Sequence, residues 1–262
     1  MKIISHNVNG LSAYIKNGKL SRILLEEADV YCFQEVKVST RQKLEDLLGD
    51  LMYDYTIAYV QNNFKKGYAG VLTMVKKNTA GKVLDHIDRP EDNTTILEGL
   101  SNYSCGRVVT CDFGSFYLIN VYVVNSGSGK ADERIKFDDK LESYLLSLSK
   151  PYIICGDFNV CHTKLDYYGN WTRAINTMPG LMEFEIDDFF GMLATCGLKD
   201  GFRVTHPETR KYSWCSPRTK NPLKGWRLDY FLCSEGININ RCDIMQGWNS
   251  FDHSPIVLEI DL

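Results

Sequence analysis

The chain of 262 residues is 44% hydrophobic, 24% charged and 12% aromatic, a balance that supports a sizeable buried core and excludes disordered and fibrous classes. Its formal net charge of −3 argues against a uniformly cationic surface but leaves local patches open. Polar Ser5, His6, Asn7 and Asn9 follow the N-terminus at once, and the nine cysteines lack CxxC spacing, so neither secretion, a membrane span, a disulfide framework nor a zinc knuckle is expected.

In chain order, β-branched and aromatic runs predict strands at 2–8, 30–36, 53–60, 69–77, 107–123 (broken at Gly114-Ser115), 152–158, 228–233 and 256–260. Apolar residues recurring at three and four, such as Leu141, Leu145 and Leu148 or Phe189 and Leu193, predict helices at 19–28, 40–51, 132–147 and 184–196. Strands alternate with helices early and a hairpin sits in the middle. Parallel crossovers and antiparallel hairpins must therefore coexist, which implies an α/β fold of two mixed sheets packed together and covered by helices. No repeat, low-complexity tract or Pro/Ser-rich linker divides the chain, and one domain over 1–262 is expected.

Polar residues cluster where strands end, the usual place for a site. Asn7 and Asn9 follow the first strand, Gln34 and Glu35 the second, and Gly156-Asp157-Phe158-Asn159 closes another apolar run. Asp252-His253-Ser254-Pro255 precedes the last strand. Taken singly, Glu35 is better explained as the partner of a neighbouring cation, Asp157 and Asn159 as an ordinary turn, and His253 by a structural role. Together they offer oxygen ligands for a hard divalent cation and an imidazole for phosphodiester chemistry. Between Thr209 and Leu228, Arg210, Lys211, Arg218, Lys220, Lys224 and Arg227 occur without an acid and are interleaved with Tyr212, Trp214 and Trp226, which predicts a local cationic, aromatic surface.

These motifs resemble the exonuclease III-type apurinic/apyrimidinic endonucleases of the endonuclease/exonuclease/phosphatase superfamily. The resemblance runs through Ile4-Ser5-His6-Asn7-Val8-Asn9-Gly10-Leu11, Phe33-Gln34-Glu35-Val36-Lys37, Lys66-Gly67-Tyr68-Ala69-Gly70-Val71, Gly106-Arg107-Val108 and Tyr122-Val123-Val124-Asn125. It continues through Cys155-Gly156-Asp157-Phe158-Asn159-Val160, Gly225-Trp226-Arg227-Leu228-Asp229-Tyr230-Phe231 and Asp252-His253-Ser254-Pro255-Ile256. The resemblance implies a DNase I-like four-layered α/β sandwich and hydrolysis 5′ to an abasic site to leave a 3′-hydroxyl, with 3′–5′ exonuclease or 3′-end trimming as a further activity. Carried over residue by residue, Glu35 with Asn9 and Asp252 would hold Mg²⁺, or Mn²⁺ in its place. Asp157, Asn159, Asn7, Tyr122 and the pair Asp229 and His253 would serve the reacting phosphate and water. Tyr68, Arg107, Lys65, Lys66, Arg218, Lys220 and Lys224 would grip duplex DNA, and Trp214, Trp226 and Leu228 would line a pocket for the bare sugar.

The implied partner is double-stranded DNA with abasic sites or 3′ ends, met by a monomer away from membranes, inside the cell: in the cytoplasm of a prokaryote or the nucleus of a eukaryote. Target-nicking endonucleases and other phosphodiesterases or phosphatases of the superfamily remain alternative activities, and a DNA-binding relative without turnover is a third. The chain departs from the family pattern at His6 (usually Trp), Val124 (usually Pro), Cys105 (commonly Glu), Cys215 (often an aromatic) and the 168–185 loop, where Asn170 and Asn176 are candidates for the family's loop asparagine.

Overall fold

The computed structural model describes residues 1–77, 79, 106–218, 221, 223–248 and 252–261. The first half runs β1 (Lys2–Asn7), α1 (Leu11–Lys16), α2 (Lys19–Leu24), β2 (Val30–Gln34), α3 (Arg41–Leu48), α4 (Leu51–Asp54), β3 (Tyr55–Val60) and β4 (Val71–Lys76). After β5 (Val108–Asp112) and β6 (Tyr117–Tyr122) come α5 (Ala131–Leu146), β7 (Tyr152–Asp157), α6 (Trp171–Ala174), α7 (Glu183–Thr195), β8 (Lys199–Asp200) and α8 (Gly201–Thr205). The chain closes with β9 (Trp214–Cys215), β10 (Gly225–Trp226), β11 (Asp229–Cys233), β12 (Ile239–Ile244) and β13 (Ile256–Ile260).

Among the described residues, the strands form a six-stranded sheet in the order β12-β13-β1-β2-β4-β3, a five-stranded sheet in the order β5-β6-β7-β11-β8, and the small β9–β10 ribbon. Each large sheet contains one parallel pair, β1 with β2 and β6 with β7, among antiparallel neighbours. Side-chain alternation explains the layering. Ile3, Val30, Cys32, Ile153, Cys155 and Phe231 meet between the sheets. Ile4, Tyr31 and Phe33 turn to the other face, where Leu11, Tyr14, Leu20, Ile23, Leu44 and Leu48 of α1, α2 and α3 cover them. Ile154, Leu232 and Ile119 are covered by Phe137, Leu141 and Leu145 of α5 and by Phe189 and Met192 of α7. With both faces buried, strands read as near-continuous apolar runs. The result is the four-layered α/β sandwich of DNase I-like proteins.

Several elements differ from the sequence expectation for local reasons. The helix expected over 40–51 starts where the Thr40 side chain accepts from the Lys43 amide at 3.2 Å, stops at Leu48 before Gly49 at φ 51°, and resumes as α4, so the next strand begins at Tyr55 rather than residue 53. The helix expected over 19–28 closes at Leu24. Short α1, α6, α8, β8, β9 and β10, and the edge strand β12 with its exposed Asn240 and Arg241, carry too little periodicity to announce themselves.

Candidate active site

Strand register brings the polar strand ends to one rim. In the five-stranded sheet Tyr122 pairs with Asp157 and Asp157 with Asp229, so three side chains line up across β6, β7 and β11. Gly156 is required there: at φ 138°, a Cβ would lie 1.9 Å from the Val121 carbonyl oxygen. In the other sheet, parallel β1 and β2 deliver Asn7 and, one residue past Gln34, Glu35, whose φ of 50° turns its side chain into the gap between the sheets. Asn7 joins the two halves. Its Nδ2 donates to Glu35 Oε1 at 2.9 Å and to Asp157 Oδ2 at 2.8 Å.

Asp157 is buried, and its Oδ1 also accepts from the Asn159 amide at 2.9 Å. Burial and the nearby Asp229 and Glu35 carboxylates push its pKa up to about 7, against the pull of His253. His253 is buried too, which opposes its charge, yet Asp229, Asp157 and Asp252 outweigh burial and raise it to about 10. Its Nδ1 meets Asp229 Oδ2 at 2.8 Å and its Nε2 faces Asp157 Oδ2 at 3.8 Å. Asp229 Oδ1 is buried without a hydrogen-bond partner among the described residues. Burial and the Glu35 charge hold the Tyr122 hydroxyl well above its ordinary pKa.

Glu35, Asn9 and Asp252 form the second half of the rim. Lys37, quoted in a motif but not foreseen as a site residue, places its ammonium 2.8 Å from Glu35 Oε2 and 2.5 Å from Asn9 Oδ1. Asn9 Nδ2 donates to both Asp252 oxygens at 3.4 Å. Burial alone would raise Glu35, but Lys37 and Asn7 draw its pKa below the ordinary value. Glu35 Oε2 and Asn9 Oδ1 therefore already accept an ammonium, and with the Asp252 carboxylate they offer an all-oxygen donor set that fits a hard divalent ion. Asp157, Asp229 and His253 also present ligand atoms within 4.8 Å of one another and can hold a metal ion; the hydrogen bond between His253 and Asp229 makes an acid–imidazole pair the better description of that trio.

Around the rim, the expected pocket residues are together. Trp214 and Trp226 pair across β9 and β10 with ring centroids 5.3 Å apart, and Trp214 bridges to His253. Leu228, Leu181, Tyr167 and Ala174 complete the cluster with the half-buried Trp171; Tyr167, Trp171 and Leu181 carried no distinguishing signal in sequence. Gly180 lets the 168–185 loop close on Trp226, since a Cβ would come within 3.1 Å of the indole. Asn170 caps α6 and Asn176 is tied to Glu183, so the loop spends both asparagines on its own shape.

The expected DNA-gripping residues divide. Lys65, Lys66, Arg218 and Lys224 are exposed, and Lys220 lies outside the described residues. Lys65 and Lys130 flank Tyr68, their Nζ atoms 4.6 and 5.7 Å from its ring, and Lys130 was not foreseen. Arg107 is corrected: only 1% exposed, it donates to the Tyr122 carbonyl at 3.0 Å and the Tyr68 hydroxyl at 3.0 Å, buttressing those rings from beneath. Arg227 is corrected as well. It belongs not to a cationic surface but to the core, donating from Nε to Asp166 at 2.7 Å and from Nη2 to Asp200 at 2.6 Å.

Two mixed sheets meeting over a buried acid–imidazole array define a phosphoester-cleaving enzyme of the DNase I-like class. Residues 4–246 match the Endonuclease/Exonuclease/phosphatase family. The chain is 33% identical to an exodeoxyribonuclease of Streptococcus pneumoniae over 287 residues, covering 100% of both chains. It is 33% identical to the DNA repair nuclease APEX1 of Danio rerio over 274 residues, covering 98% of this chain and 81% of that one. A crystal structure of an AP endonuclease from Leishmania major superposes with a TM-score of 0.80 at 26% identity, covering 98% of this chain and 86% of the other. The chain belongs to the endonuclease/exonuclease/phosphatase family, in its exonuclease III-type apurinic/apyrimidinic endonuclease branch, and is a nuclease.

Proposed function

We propose that the protein is a Mg²⁺-dependent DNA-repair nuclease that cuts duplex DNA on the 5′ side of an abasic site, leaving a 3′-hydroxyl, and that also trims 3′ ends. The observation that carries this reading is the Asn7 side chain bonded to both Glu35 and Asp157, because it joins a cation-accepting carboxylate to a proton-accepting one. Glu35, Asn9 and Asp252 would hold the ion, which when bound supplies charge neutralisation at the phosphate.

Asp157 takes the proton of the attacking water, and a pKa near 7 suits a base working close to neutral pH. Asn7 and the Asn159 amide aim its oxygens. The water oxygen joins phosphorus, the P–O3′ bond breaks opposite it, and the departing oxygen takes a proton from solvent to become the 3′-hydroxyl. His253, protonated and oriented by Asp229, donates from Nε2 to the phosphate, and the Tyr122 hydroxyl donates to another of its oxygens. Trp214, Trp226 and Leu228 admit a base-free sugar that has swung out of the helix and exclude one that carries a base. Lys65, Lys66, Lys130, Arg218 and Lys224 meet backbone phosphates beside Tyr68 and the ribbon. The chain acts as one catalytic unit over 1–262, as a monomer, inside the cell. Among the described residues no helix is long and apolar enough to cross a membrane.

The test is kcat/KM on duplexes that carry one abasic analogue, none, or a recessed 3′ end, with Mg²⁺ and with excess chelator. Cutting 5′ to the analogue well above the intact internal site, and dependent on the ion, is expected. Equal values on abasic and intact sites would favour a target-nicking activity, and full activity in chelator would remove the metal assignment.

A further inference from the structure

His6 stands one residue before Asn7 on β1 and is fully buried. Alternation along the strand sends the Asn7 side chain into the gap between the sheets and the His6 ring to the helix-covered face, against Tyr14 and Trp248. There His6 Nε2 lies 3.1 Å from the carbonyl oxygen of His253, and Nδ1 lies 2.9 Å from the Tyr14 hydroxyl. A carbonyl only accepts, so Nε2 carries a proton; in the neutral ring Nδ1 then offers a lone pair to which the Tyr14 hydroxyl donates. Burial, outweighing the His253 backbone bond, lowers the His6 pKa to about 3. The two histidines of the site thus differ in role: one is a neutral donor and the other faces carboxylates.

His253 leads into β13 of the six-stranded sheet, but its ring must meet Asp229 and Asp157 on the other sheet. The stretch around it is fastened on the ribbon side, where the Cys215 amide donates to the Asp252 carbonyl at 2.8 Å and the Ser254 amide donates to the Ser213 carbonyl at 2.6 Å. The bond from His6 fastens the backbone of His253 to β1, the strand whose next residue bridges Glu35 and Asp157. We propose that His6 is a positioning residue: its imidazole, locked by Tyr14, holds the His253 carbonyl and thereby fixes the His253 ring between Asp229 and Asp157. This rests on the role given to His253 above.

Two amide variants separate the contacts. His6→Gln extends an amide N–H to the place of Nε2 and keeps the bond to His253, whereas His6→Asn reaches only as far as Nδ1 and loses it. Single-turnover cleavage of an abasic duplex by His6→Asn should fall about tenfold, the scale of one buried hydrogen bond, with the DNA dissociation constant within about twofold of wild type. His6→Gln should restore the rate to within about threefold, although both variants disturb the same packing. Wild-type rates in His6→Asn, or an equal loss in His6→Gln, would overturn the proposal. If His6→Asn does not fold, His6→Phe fills the ring volume without a donor, and the same loss is expected. His253→Gln tells the two levels apart: wild-type cutting by that variant would remove the role of His253 itself, while a slow His253→Gln beside a fast His6→Asn would remove only the positioning role of His6.

Discussion

Two buried clusters of charge stand two residues apart along the chain, and their ingredients are nearly the same. Arg227 belongs to the first, with Asp166, Asp200 and Arg203; Asp229 belongs to the second, with Asp157 and His253. In the first cluster the carboxylates are saturated. Asp166 accepts from Arg227 and Arg203 on one oxygen and from Thr163 at 2.9 Å on the other, and Asp200 takes both Nη1 and Nη2 of Arg227. Burial would raise the pKa of Asp166, but the two guanidinium groups hold it below the ordinary range. In the second cluster an oxygen of Asp229 has no partner among the described residues, and two carboxylates share one imidazole. Burial, with the charges of Asp229 and Glu35, pushes Asp157 up to about 7 against the pull of His253. Carboxylates fully paired with guanidinium groups fix a fold, whereas buried carboxylates left short of partners keep a proton movable at neutral pH.

The comparison breaks most visibly if the first cluster loses its cation. Arg227→Leu should destabilise the protein by about 3–5 kcal/mol, because it leaves the buried Asp200 without its cation and Asp166 with Arg203 alone; urea unfolding reads this directly, and a loss below about 1 kcal/mol would show that the network is not structural. On the catalytic rim, Glu35→Gln should slow cleavage about 10³-fold with little change in melting temperature, since its charge serves a bound cation rather than the core. Undiminished turnover would separate Glu35 from the metal.

His253 gives a pH test. Its folded pKa lies above the unfolded value of 6.5, so its contribution to stability is full below pH 6.5 and is lost as pH rises through about 10. The stability gap between wild type and His253→Gln should be about 2–4 kcal/mol at pH 6 and should narrow toward pH 10. A gap independent of pH would mean that no proton is held there. The smallest expected effect concerns the rim. Neutralising exposed Lys65 and Lys66 together should flatten the log–log salt dependence of duplex binding by up to about two units, and an unchanged slope would place the phosphate path elsewhere.

What sequence made legible follows from the same contrast. Glu35, Asp157 and His253 stand out because each interrupts or borders an apolar run with a group that is costly to bury unpaired. Arg227 sits in a cationic stretch as plain as any surface loop, and its acids, Asp166 and Asp200, are 61 and 27 residues away; only the packing of α8 and β8 against β11 reveals the network. Arg107 was expected at DNA only through the family resemblance, and its burial under Tyr68 and Tyr122 depends on contacts that sequence does not display. Lys37 was hidden because its importance depends on a left-handed φ of 56° that folds its side chain back over Asn9 and Glu35. The long elements were legible from period, while β8, β9, β10 and α8 exist only through the partners they pair with.

The central claim is that Asp157 is the proton acceptor of a nuclease site and not a structural carboxylate like Asp166. Single-turnover cleavage of an abasic duplex by Asp157→Asn, measured beside its DNA dissociation constant and melting temperature, tests this most directly. Cutting is expected to slow by at least about 10²-fold, with DNA binding within about threefold of wild type and a melting temperature that does not fall. Cutting at the wild-type rate, or a loss of rate explained by unfolding, would contradict it.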